Sequence, residues 1–103
     1  MTPEQGDVWW AEAEDKRRPV LVVTRSEAVP VLSTILVAPI TRTIRDIPTE
    51  VPLGADEGLP DECVASCDDL QPIRRAFLTE RAGRLGPDGR LRLCGALQAV
   101  ADC

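Results

Sequence analysis

The run Thr34-Ile35-Leu36-Val37-Ala38-Pro39-Ile40 restricts this chain more than any other stretch. It is rich in strand-favouring side chains, and its apolar residues do not alternate with polar ones. A strand of that composition is buried on both faces, which predicts the middle of a sheet rather than an edge. In a chain of 103 residues, one such strand organises one modest core. A single domain over residues 1–103 is therefore expected.

Shorter strands are expected around it. Gly6 to Glu12 reads as a first strand, with Val8 and Trp10 on one face and Asp7, Trp9 and Ala11 on the other. Two adjacent tryptophans in a strand point to opposite sides, so one can fill a core while the other meets a surface, a base or a partner. Glu12 to Arg18 is dense in charge and reads as an exposed loop. Pro19 to Thr24 follows as a second strand, with Pro19 at its start because it lacks an N–H. Arg25 to Ser33 reads as a loop with one helical turn. Thr49 to Leu53 is an edge strand containing Pro52, and Gly54 to Asp61 is an acidic loop. Glu62 to Leu70 reads as another strand broken by Pro72, and Glu80 to Leu85 as a weak last one. Pro87-Asp88-Gly89 opens the one confident helix, capped by Asp88, with Leu91, Leu93, Cys94, Leu97, Val100 and Ala101 as its apolar face. Short strands followed by one helix predict a mainly β fold. The expected form is a small, strongly curved antiparallel sheet or barrel with a C-terminal helix packed on it.

The chain has no histidine, so Ser/His/Asp and Cys/His nucleophile systems are excluded. Acid–base work falls to carboxylates, hydroxyls, thiols, Arg and the single lysine, Lys16. Cys63, Cys67, Cys94 and Cys103 lack zinc-knuckle spacing and read as small core hydrophobes, Cys103 as a free exposed thiol. No metal and no cofactor is expected, and phosphate-loop glycine motifs are absent. No apolar run is long enough for a membrane helix, and Met1 to Gln5 is unlike a secretory signal, so a cytoplasmic protein is expected.

Net charge is −5, against a generic nucleic-acid binder. The charge is uneven, however. Eight carboxylates and no Lys or Arg lie between Asp46 and Asp69, while Lys16, Arg17, Arg18 and Arg25 gather early and Arg42 and Arg45 follow the third strand. Local fields within about 8–10 Å decide contact binding, so a basic groove on an acidic body is allowed. Eleven of the twelve basic residues are Arg, whose planar fork suits phosphate oxygens. Arg17 and Arg18 open the second strand, and Thr41, Arg42 and Thr43 end the third.

The ordered set Gly6-Asp7-Val8-Trp9-Trp10, Arg18 to Val23, Ala38-Pro39-Ile40-Thr41, Val51-Pro52-Leu53, Val64-Ala65-Ser66-Cys67-Asp68 and Gly83-Arg84-Leu85 resembles MazF/PemK-type toxins over essentially the whole chain. That resemblance implies an SH3-like, CcdB/PemK-like barrel fold and a homodimer that cuts single-stranded RNA at specific sequences without a metal. It also implies inhibition by a cognate MazE-like antitoxin whose tail wraps the toxin. It places the catalytic pair at Arg18 and Thr41. Glu14, Asp15, Lys16, Arg17, Thr24, Arg25, Arg42 and Thr43 are the expected RNA-groove residues. The chemistry agrees: RNA carries its own nucleophile, the 2′-hydroxyl, so fixed positive charge and orientation suffice. Asp68-Asp69 stands where many relatives have an amide, which makes that strand more acidic. The rival reading is a CcdB-like toxin that binds gyrase through its C-terminal helix and cuts nothing, although that helix has no aromatic anchor.

Overall fold

The structure, a computed structural model, describes residues 2–101. Among them seven strands and one helix are formed: β1 Asp7–Ala13, β2 Lys16–Val22, β3 Thr34–Thr41, β4 Glu50–Leu53, β5 Cys63–Ser66, β6 Gln71–Arg74, β7 Leu78–Arg84 and α1 Pro87–Val100. The strands pair antiparallel in the order β4-β5-β3-β2-β1-β7, with β6 also on β3. The mainly β architecture with a C-terminal helix is the expected one: a curled antiparallel half-barrel carrying α1.

β3 is the spine. Val37, Ala38 and Pro39 pair with β2, Thr34 to Val37 with β6, and Ile40 and Thr41 with β5. Both faces of the central strands are covered, as the unbroken apolar run predicts. One face carries Val8, Leu21, Ala38, Val51, Ala65 and the helix residues Leu93 and Ala96. The other carries Trp9, Val20, Val22, Val29, Ile35 and Val37. Leu36 is the exception, 43% exposed on its own strand.

Several expectations are corrected. Glu12 to Arg18 is not a loop. β1 and β2 pair down to Ala13↔Lys16, and only Glu14 and Asp15 turn the chain, both at positive φ (54° and 64°). That is the geometry of the two-residue hairpin, whose twist matches the flanking strands. The second strand therefore begins at Lys16, and Pro19 lies inside it. Glu62 to Leu70 is not one strand either. β5 and β6 are two pieces of one path along β3, split by the 3₁₀ turn Cys67–Asp69. Cys67 donates its N–H to the Thr49 carbonyl, and the Ser66 hydroxyl donates to Asp69 (2.9 Å). Pro72 does not break a strand; it pairs with Leu36 inside β6. Prolines are tolerated at 19, 39, 52 and 72 because β4 is an outermost strand, β6 pairs only with β3, and the β2–β3 ladder stops at Val20↔Pro39.

Asp88 does not cap α1. Gly86 is the N-cap residue, without a side-chain bond, and Asp88 lies in the first turn, where a carboxylate still favours the helix dipole. The packed helix face is Leu93, Ala96 and Leu97. Leu91 is 73% exposed, and Cys94 and Val100 are exposed as well, so the expected stripe is half outside. Cys63 and Cys67 are core thiols as expected; Cys103 lies outside the described residues. Two glycines seal the acidic loop onto β7. A methyl on Gly58 (φ +80°) would collide with the Ala82 carbonyl, and one on Gly83 with the Glu57 carbonyl.

Candidate active site

The β2–β3 ladder sets the geometry. Its pairs are Val22↔Val37, Leu21↔Ala38 and Val20↔Pro39, where it stops. Two residues farther on each strand stand Arg18 and Thr41. Continuing the register would put them directly opposite, about 5 Å apart at Cα, and splaying widens that gap. Strand alternation puts both on the face of Val20, Val22 and Val37, at its rim. Pro19 and Pro39 flank the point where the strands part, and the lost donor helps explain the parting.

Arg18 is exposed, and among the described residues no carboxylate lies within ion-pair distance of it. Thr41 is half-buried, and its Oγ1 accepts the Thr43 N–H at 3.1 Å. The hydroxyl hydrogen remains available to donate. A fixed positive fork and a hydroxyl donor thus stand on the two strands just past the point where they part.

Arg17 projects from the opposite face. Its guanidinium lies 4.4 Å from the Trp10 ring centroid and pairs with Glu80 at 3.1 Å. The two tryptophans divide as alternation predicts. Trp9 is buried and donates its Nε1–H to Asp7 at 3.2 Å, whereas Trp10 is half-buried. Trp10, Pro19, Ile40 and Leu59 wall a cavity of about 190 Å³, and Thr41, Arg42 and Asp61 contribute polar groups. Arg42 reaches Asp61 at 3.6 Å with both side chains well exposed.

Other expected groove residues scatter. Glu14, Asp15 and Lys16 form the hairpin tip, next to Phe77. Glu12 shares the face of Trp10 and Arg17, not that of Arg18. Thr24 and Arg25 stand past the far end of β2, about 20 Å from Arg18 along an extended chain. Thr24 Oγ1 accepts the Leu36 N–H at 2.8 Å, and the Arg25 carbonyl accepts the N–H groups of Ala28 and Val29. Both hold the fold at that end and do not join the rim.

Glu50 was not singled out by sequence, yet it is 2% exposed and braces the segment after Thr41. Its Oε1 accepts the N–H groups of Arg45 and Asp46, each at 3.0 Å, and Asp46 sits at φ 57°. From α1, Arg92 donates to the carbonyls of Glu50 (3.0 Å) and Ile47 (3.3 Å). No sequence pattern marks Glu50, because burial of a carboxylate depends on a loop folding over it. Among the described residues, no three Cys, Asp or Glu side chains converge as metal ligands would.

Residues 4–101 match the family of PemK-like, MazF-like toxins of type II toxin–antitoxin systems. The chain belongs to that family. It is 44% identical over 105 residues to the probable endoribonuclease MazF5 of Mycobacterium tuberculosis, covering 98% of this chain and 94% of that one. Among solved structures it resembles the M. tuberculosis toxin MazF-mt6, with a TM-score of 0.85 and 38% identity over 93% of this chain and 96% of that one. A mycobacterial endoribonuclease in complex with its cognate antitoxin shares the fold at 22% identity (TM-score 0.84; 96% of this chain, 94% of that one).

Proposed function

We propose that this MazF-type endoribonuclease toxin cuts single-stranded RNA, without a metal, between Arg18 and Thr41, at the rim where β2 and β3 part. The observation that carries the reading is an unneutralised guanidinium and a hydroxyl donor on one face, at the point where two strands part. The RNA 2′-hydroxyl attacks the adjacent phosphorus as its proton passes to water, which returns one to the leaving oxygen. The bond to the 5′-oxygen breaks, that oxygen takes up a proton, and the products are a 2′,3′-cyclic phosphate and a 5′-hydroxyl. Arg18 meets the negative charge that builds on the non-bridging oxygens, and Thr41 donates a hydrogen bond to one of them. Arg18 itself is a poor base, because its pKa exceeds about 12. The RNA follows Arg42 and Thr43, and the hairpin tip bearing Glu14, Asp15, Lys16 and Arg17 borders the track.

Two partners complete the proposal. A MazE-like antitoxin covers the RNA track. A second copy of the chain docks on the exposed apolar residues Val31, Leu32, Leu36 and Phe77. Among the described residues no helix is long and apolar enough to cross a membrane, and action on RNA fits a cytoplasmic protein. The gyrase-poison reading is not favoured: relatives are named endoribonucleases, and no aromatic anchor stands on α1.

Incubation with a long RNA in EDTA tests this. Discrete cuts with cyclic phosphate ends are expected. Arg18→Ala lowers the rate by at least about 100-fold at unchanged Tm. Full activity in that variant rejects the assignment.

A further inference from the structure

We propose that the cavity beside Thr41 is a guanine pocket read by Asp61, an inference that rests on the RNA-cleaving reading of the same rim. At about 190 Å³ the cavity is smaller than the roughly 300 Å³ at which drug-sized sites begin, so it takes a single ring system rather than a dinucleotide. Its walls, Trp10, Pro19, Ile40 and Leu59, are apolar surfaces against which a base can lie flat. Unpaired RNA can splay a base into such a slot and expose its Watson–Crick edge to side chains. Thr41 and Arg42 belong to the same lining, so a base bound there lies next to the proposed catalytic hydroxyl.

Asp61 supplies the selectivity. A carboxylate only accepts, and its two oxygens can receive two parallel N–H bonds. Of the four RNA bases only guanine presents two adjacent N–H donors, at N1 and N2. Adenine and cytosine set one amino group beside a ring acceptor that would face the second carboxylate oxygen. Uracil flanks its single N–H with two carbonyls. Position favours the contact as well. Buried Leu59 anchors the Leu59-Pro60-Asp61 segment. The Arg42 contact to Asp61 is 3.6 Å long between side chains 80% and 58% exposed, so a base displaces it at small cost. Arg42 is then released toward the phosphate track.

The test maps cut sites on a randomised RNA and then measures defined oligonucleotides. A guanine at one fixed position next to the cut is expected. Replacing it by inosine, which lacks the N2 amino group, lowers kcat/KM by about 10- to 100-fold in the unaltered protein. Asp61→Asn, with one acceptor oxygen, loses the preference for guanine over inosine, and Asp61→Glu recovers part of it. Cleavage indifferent to guanine, equal rates on inosine, or an Asn variant that keeps the full preference overturns the proposal. The inosine comparison stands even if the Asn variant does not fold. RNA left intact by the unaltered protein instead overturns the nuclease reading beneath it.

Discussion

Cys67 has no exposed surface, and burial, reinforced by the neighbouring Asp68, pushes its thiol from an ordinary 9.0 up to about 11. Cys63 is raised in the same direction by burial and then by Glu57 and Asp61. A raised folded-state pKa means that the folded chain holds protons that the unfolded chain gives up first. The stabilisation is complete below the unfolded value and is lost as pH rises through about 9 to about 11. Urea unfolding followed across that window is expected to show stability falling with pH, and Cys67→Ala is expected to flatten the slope. An identical slope in the variant would place the pH dependence on other groups. The same chemistry keeps both core thiols unreactive at neutral pH, because the thiolate is the nucleophile.

The hairpin tip is the element where local sequence and local structure disagree. Glu14 and Asp15 hold a left-handed geometry that usually selects Asn-Gly, and nothing in two adjacent carboxylates signals a two-residue turn. Six charged residues in seven therefore read as a loop, whereas the pairing Ala13↔Lys16 closes a tight hairpin. The left-handed region costs a non-glycine residue on the order of 1–2 kcal/mol. Asp15→Gly removes that cost at the price of a looser unfolded chain. It is expected to raise Tm by a few degrees in a thermal melt, at a conversion of about 4–8 °C per kcal/mol for a domain of this size. A lowered Tm would show that the Asp15 side chain stabilises the turn by a contact of its own.

For the molecule as a whole, the surplus of apolar surface is more telling than the net charge. Val31 is 79% exposed, and Leu32, Leu36 and Phe77 are exposed as well, in or next to β3 and β6 in the chain. A two-fold pair through these residues would bury each of them twice over. Val31→Glu is expected to shift sedimentation from dimer to monomer at micromolar concentration while leaving the far-ultraviolet spectrum intact. A monomeric unaltered chain, or a dimer unmoved by the change, removes this face from the assembly. The acidic stretch finds its place at this scale too. Asp46, Glu50, Asp56, Glu57 and Glu62 line a cleft of about 600 Å³ below β4, whereas Thr41 and Arg18 stand at the parting of β2 and β3.

Period-two alternation and β-branched runs depend only on neighbouring residues. The amino-acid order alone therefore determined the opposed tryptophans, the doubly covered β3, the edge position of β4 and the existence of α1. Local pattern says nothing about where a ladder ends, or which distant loop closes over a side chain. Tertiary structure decided that the β2–β3 ladder stops two residues short of Arg18 and Thr41, and that Arg17 turns to Trp10. It also decided that Thr24 and Arg25 serve the far end of β2 and that Asp61 reaches the cavity beside Thr41. Each of these follows from long-range strand register and from loops folded onto the sheet, where free energy is shared among residues far apart in the chain.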